Sequence, residues 1–154
     1  KMDLLMLNVD RGSTQPPELS TAIRSVPINI TILKVEERLL GVESGKIWKL
    51  FKVPVDRQDR YVDQQKIRLK DCELRLIDLR KVFSIPKGGR KAEVKILAVN
   101  EDGEYKGLMV NEVLERLFTR METGGNYGEY FTGITHWTYQ EHPTEISILN
   151  LKKF

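Results

Sequence analysis

The chain has 154 residues, 40% hydrophobic and 31% charged, with a formal net charge of +3 and one cysteine, Cys72. That balance fits a single soluble globular domain, of the roughly 100–200 residues usual for one. It excludes an internal disulfide and a Cys/His zinc cluster; no apolar run nears the ~20 residues of a membrane-spanning helix.

The opening stretch Lys1 to Asp10 holds an apolar patch, Leu4, Leu5, Met6 and Leu7, too short for the apolar region of a signal peptide. A cytoplasmic location is the expectation, and a first residue of Lys rather than Met suits a fragment of a longer chain. Residues 11–20 gather Pro, Gly and Ser without periodicity and read as a linker. Glu18 to Val26 is expected to form a short helix that stops before Pro27.

After Pro27 the period becomes two. Ile28, Ile30 and Ile32 alternate with Asn29 and Thr31, which places the isoleucines on one face of a strand running to about Glu36. Arg38 to Val42 returns as a second strand. Residues 43–53 begin with turn chemistry and become apolar before Pro54, which cannot donate to a sheet ladder. Asp56 to Gln65 is a charged loop. Lys66–Leu69 and Leu74–Ile77 form a hairpin around residues 70–73, and Asp78 to Phe83 is one helical turn. Val94–Val99 and Tyr105–Val110 form a second hairpin, in which Asp102-Gly103 supplies the positive φ that such turns require. Asn111 to Met121, apolar at 113, 114, 117 and 118, suits a helix, although its first residues also repeat the turn-then-strand pattern of 43–53. Gly124 to Gly128 is a loop, and Phe131–Tyr139 with Glu145–Leu149 makes a last hairpin.

Many short strands joined by turns predict an all-β fold, a small barrel or a pair of them. The element order from Pro27 to Pro86 repeats from Lys91 to Phe154, which hints at an internal duplication. The expected division is an extension over 1–20 and a domain over 21–154, with a first barrel over about 27–86 and a second over about 91–154, strands being shared if need be.

Chemistry is hard to find. His136 lies in a strand-like run and His142 in a turn, and neither stands in a catalytic signature. Cys72 sits between Asp71 and Glu73, where negative charge opposes thiolate formation. Gly88-Gly89-Arg90-Lys91 matches neither a Walker loop nor a dinucleotide fingerprint. No cofactor and no metal are expected. Lys46, Trp48, Lys49, Phe51 and Lys52 could stack and pair with a single-stranded nucleic acid, but acids and bases interleave along the chain without the one-sided stripe such a groove wants.

One run is more telling. Leu74 to Pro86 (LRLIDLRKVFSIP) resembles the segment I-P-V-I-D-L-R-x-x-F-x-x-P of the CheW-like family. Tyr105 to Val113 (YKGLMVNEV) resembles its x-x-G-L-x-V-D-x-V, and Phe131–Ile134 followed by Ile146–Phe154 its closing I-x-G-V and I-L-D-L. The resemblance covers residues 27–154 in order. It implies two five-stranded SH3-like barrels and a non-catalytic docking role between chemoreceptor tips and a CheA-type histidine kinase. The regulatory part of such a kinase has the same domain, so a piece of that larger protein is the alternative. Two positions depart from the family's pattern. Its N-L-R-G motif falls on Arg68, Leu69, Lys70 and Asp71, so the usual arginine is Lys70; its partner glutamate falls on Lys49. Two lysines would repel where the family has a salt bridge, if they are near each other. Val42, Ile47, Lys49, Leu50 and Lys70 are the expected partner-binding residues, as apolar groups edged by charge; self-association is a further possibility, nucleic acid an improbable partner.

Overall fold

The computed structural model describes residues 22–53, 65–68, 72–86, 88 and 94–154. The linker over 11–20, the helix expected from Glu18 as far as residue 21, the loop over 56–64, Gly89-Arg90-Lys91 and Lys70 lie outside them. Ten strands follow one another: β1 (Arg24–Val35), β2 (Arg38–Glu43), β3 (Ile47–Val53), β4 (Lys66–Arg68), β5 (Glu73–Asp78), β6 (Val94–Glu101), β7 (Glu104–Val110), β8 (Glu112–Thr123), β9 (Phe131–Tyr139) and β10 (His142–Leu149). Among the described residues, helix is confined to α1 (Leu79–Val82) and to 3-10 turns at Ser44–Lys46 and Leu151–Lys153. The all-β expectation is met. Arg24 to Val26, expected at the end of a helix, are instead the first rungs of β1, paired with Thr123, Glu122 and Met121.

The strands form a closed barrel in the order β1-β2-β10-β9-β8 and a second, curled sheet in the order β3-β6-β7-β5-β4. These are not the contiguous stretches 27–86 and 91–154. Each half of the sequence gives its first hairpin to one unit and its last three strands to the other. Within that exchange the halves correspond element by element. β1 pairs antiparallel with β8 as β6 does with β3, and β2 runs parallel to β10 as β7 does to β5. The correspondence reaches single residues. Asp78 accepts a hydrogen bond from the Arg80 amide to start α1, and Asn150 accepts one from the Lys152 amide to start the last turn. Leu79 and Leu151, one residue after those caps, are both buried.

The glycines at the two parallel crossings show why the duplication is packed so tightly. A Cβ on Gly41 would lie 2.8 Å from Ile148 Cδ1, and one on Gly107 2.9 Å from Ile96 Cγ2. Gly41 pairs with Ile148 in β10, and Gly107 with Leu76 in β5. Only a residue without a side chain lets the isoleucines of both units cross there.

The two units share one core. Leu33, Val35, Leu40 and Val42 of the barrel pack with Ile77, Leu79, Leu97, Val99, Leu108 and Val110 of the second sheet, and with Leu149 and Leu151. Burying aliphatic side chains stabilises by about 1.5–3 kcal/mol each, so this cluster fixes the units against each other. Polar ties add direction. Glu36 ends β1 with φ at 55°, a conformation that costs a residue with a Cβ; its amide is held by Asn111 Oδ1, its carboxylate accepts from the Gly88 amide at 2.8 Å, and Arg80 lies 3.3 Å from the same carboxylate. The almost fully buried Lys106 donates to the Leu151 carbonyl and pairs with Glu104 at 3.2 Å.

Residues 111–121 are the clear correction. They are not a helix: Glu112 to Thr123 lie against β1 from Lys34 to Arg24. The register slips between Ile32 and Leu33, so Leu114 is an extra residue opposite no partner. That bulge shifts the inward phase by one and brings Val113, Leu114 and Leu117 into a spacing that reads as helical. The segment is also rich in helix formers (Glu, Leu, Arg, Met), whose preference the long ladder overrides.

Candidate functional site

A cleft of about 480 Å³ opens where the two units meet. β5 gives it Arg75, Leu76, Ile77 and Asp78, α1 gives Lys81 and Val82, and β7 gives Met109. Tyr130, Lys153, Phe154 and Gln65 complete the lining. Leu76, Ile77, Val82 and Met109 are its aliphatic part, and buried Leu79 pins α1 into the shared core beside them.

An aromatic cluster stiffens one end. Phe83 stacks on Phe131 with ring centroids 5.1 Å apart and meets Tyr130 edge-on at 5.7 Å, while Tyr130 lies 5.3 Å from Phe154. The Arg38 guanidinium sits 5.3 Å above Phe83 and 5.5 Å above Phe131, a cation–π arrangement that ties β2 to the cluster. Arg75 donates to the Phe154 carbonyl and lies 3.9 Å from Glu104. Asp78, the one acid of the lining, is committed to the Arg80 amide and side chain. With Asp78 so engaged, the exposed Lys81 and Lys153 leave the lining with an excess of positive charge beside the apolar Leu76, Ile77, Val82 and Met109. Such a surface suits an amphipathic protein segment bearing acidic groups.

The residues expected to bind a partner are scattered by the structure. Val42 is fully buried, packed in the core cluster with Leu97, Val99 and Leu108 of the second sheet, so this side chain is core and not the surface contact expected of it. Ile47 is half-buried and packs against the same cluster. Lys49 and Leu50 are exposed on β3, at an edge of the second sheet, with Lys49 Nζ 5.5 Å above the Phe51 ring. Lys70 lies outside the described residues, so its distance to Lys49 stands as an expectation. The cleft-lining Tyr130, Lys153 and Phe154 were not singled out in the sequence. Only the fold brings them to β5; Lys153 and Phe154 end the segment that resembles the family's closing motif, but nothing local in it points to a cleft.

The residues weighed for catalysis stay apart. His136 and His142 are exposed on β9 and β10, away from the cleft, and Cys72 precedes β5 half-buried. Among the described residues no group of three or more His, Cys, Asp or Glu comes together as a metal would need, and no helix is long and apolar enough to cross a membrane. Trp48 of β3 is 44% exposed but rests its ring edge-on against Tyr105, centroids 5.0 Å apart; it is anchored within its sheet rather than displayed as a stacking platform.

No family model and no curated protein matches the sequence. Among solved structures, the scaffolding protein TtCheW from Thermoanaerobacter tengcongensis superimposes with a TM-score of 0.59 and 21% identity, over 81% of this chain and 90% of that one. The chain has the CheW fold. The CheW-like resemblance drawn from LRLIDLRKVFSIP and its two companion segments is therefore supported by the three-dimensional comparison, and the expected pair of small barrels takes the form of one closed barrel and one curled sheet.

Proposed function

We propose that this protein is a non-catalytic docking domain of a cytoplasmic, chemotaxis-type signalling complex, which couples a receptor to a CheA-type histidine kinase. The observation that carries the reading is the cleft between the two units, lined by apolar and basic side chains, in a fold shared with a protein described as a scaffold. A receptor's helical tip, with apolar and acidic side chains on one face, fits that chemistry. Lys49 and Leu50, with Lys70, are proposed as a second contact surface on the outer sheet. The substitution of lysine for the family's glutamate and arginine favours a partner other than the usual one at those positions, or a regulatory piece of a larger kinase.

Size-exclusion chromatography of the domain, alone and mixed with the regulatory fragment of a CheA-type kinase and with a receptor-tip fragment, tests the reading. Co-elution with either is expected, and Lys81→Glu with Lys153→Glu should weaken the receptor complex at least tenfold, about 1.4 kcal/mol. Separate peaks in both mixtures would refute the coupling function and leave the fold assignment untouched. Retention on a single-stranded oligonucleotide column that falls steeply with salt would favour the nucleic-acid alternative instead.

A further inference from the structure

The closed barrel is closed by very little. β8 pairs with β1 along nearly its whole length, but its ladder to β9 is a single bridge, Glu122 to Ile134. The Arg120 carbonyl accepts from Thr135 Oγ1 at 2.8 Å, and a Cβ on Gly133 would sit 2.2 Å from the Glu122 carbonyl oxygen. These two carbonyls face β9. An antiparallel strand turns the backbone groups of alternate residues to opposite neighbours, and the register with β1 runs unbroken from Glu115 to Thr123. The N–H and C=O groups of Arg116 and Phe118 therefore face the same flank as those of Arg120 and Glu122. There β9 has already left, since from His136 to Tyr139 it pairs with β10 alone. Among the described residues no strand lies against Arg116 and Phe118 on that side. An edge of this kind is a template for a strand from another molecule.

The side chains along the flank are matched to a copy of themselves. Arg116 and Phe118 share the outer face and are both exposed, and Phe118 at 75% is the most exposed large apolar side chain described. Arg120 is committed to Ser25, through its Nε and Nη2 at 2.8 Å; Arg116 has no ion-pair partner among the described residues. Three antiparallel registers bring the open backbone groups of two copies into phase. Centred on Arg116, the strands oppose Arg116 to itself; centred on Phe118, they oppose Arg116 to Arg120. Like charges directly opposite are destabilising. Centred on Leu117, each Arg116 instead meets the other copy's Phe118, a guanidinium against an aromatic ring, and does so twice. On the inner face Leu117 then meets its own counterpart, and Glu115 lies across from Thr119.

We propose that two copies of this chain join β8 to β8, antiparallel about a two-fold axis at Leu117. Arg116 and Phe118 of each copy exchange backbone hydrogen bonds with Phe118 and Arg116 of the other. The contact is isologous, and its residues 115–119 include none that line the cleft, so it does not rest on the docking role. Being short, it makes a weak, concentration-dependent dimer.

Sedimentation velocity and hydrogen exchange of the full chain over a dilution series test this. A reversible dimer is expected. The amides of Arg116 and Phe118 should gain protection as concentration rises, while those of Leu117 and Thr119, which face β1, are protected throughout. Phe118→Arg sets arginine against arginine twice and should weaken dimerisation at least about tenfold. Arg116→Phe/Phe118→Arg exchanges the two side chains and should restore it. Both positions are exposed, and unchanged exchange in β6 and β7 reports an intact fold. A chain that stays monomeric at the highest concentration would overturn the proposal. So would a dimer indifferent to Phe118→Arg, or one that the double exchange fails to recover.

Discussion

The barrel of β1, β2, β8, β9 and β10 and the sheet of β3 to β7 are assembled from equivalent strands, yet they differ in how they end. In the barrel, β8 continues past its bulge for nine residues, far enough for Glu122 to bridge Ile134 and close the ring. In the sheet, β3 carries its bulge at the same place, at Trp48 between the partners of Ile47 and Lys49, but ends at Val53. Its edge and that of β4 remain the two margins of the sheet among the described residues. Among the described residues, the two units thus follow the same pairing scheme up to the bulge and differ in the length of strand beyond it. The open unit presents Trp48, Lys49 and Leu50 along its margin, where the closed one presents little more than Phe118.

Four experiments would break or sharpen this comparison. The largest effect is expected at the positions the two halves share. Leu79→Ala and Leu151→Ala should each destabilise by about 3 kcal/mol, within the range for emptied aliphatic core sites, as read by urea unfolding. A loss at one site but not the other would break the equivalence of the two capped turns. Gly133→Ala comes next. Its Cβ would lie 2.2 Å from the Glu122 carbonyl oxygen, so the substitution should cost about 2 kcal/mol by forcing the strands apart. It should also raise exchange at 132–135 selectively; unaltered exchange there would show that the single bridge does not close the barrel.

Lys49→Glu probes the open margin. If Lys49 is near Lys70, a favourable pair replaces a repulsive one and stability rises by up to about 1 kcal/mol, with a change in kinase or receptor binding. If stability and binding both stay as they were, the two positions are not neighbours. The smallest effect is at the closing corner. Partial withdrawal from water, and then its hydrogen bond of 2.9 Å to the Glu122 carboxylate, raise Tyr127 above the ordinary tyrosine pKa. A neutral phenol is thereby favoured in the folded state, so its contribution is fully present below the unfolded pKa and fades as pH rises through the folded one. Ultraviolet titration of Tyr127→Phe against the parent should remove one late-titrating phenol, and Glu122→Gln should shift that phenol down; no difference would exclude the interaction.

The sequence reveals local structure well and exchange between units not at all. Alternating isoleucines in β1, the positive φ at Asp102-Gly103 (53° and 86°) and a single helical turn within Asp78 to Phe83 are each decided by neighbours in the chain, and each is found as read. β8 was misread because its bulge at Leu114 imitates a helical spacing, and because its partner, β1, lies some eighty residues away. Val42 was misplaced for a related reason: a strand's hydrophobicity shows that one face is apolar, but not that the second sheet will pack against that face and remove it from the surface. One wall of the cleft lies inside the run LRLIDLRKVFSIP, but that run does not show a cleft, since Tyr130 and Phe154 meet Phe83 only after both halves have folded. The resemblance to the CheW-like family was legible because it lies in short runs, IDLR among them, whose spacing is fixed by a cap, a buried leucine and a parallel crossing.

The exchange of strands between halves also governs how the chain reaches its native state. Neither unit is contained in a continuous stretch: β1 and β2 cannot find their sheet until β8, β9 and β10 have been synthesised, and β6 and β7 need strands made much earlier. Pairings so distant in sequence make folding slow and delay it until β10 has been made. A cut between Pro86 and Val94 would therefore release two complementary pieces rather than two domains, each holding part of both units and neither able to fold without the other.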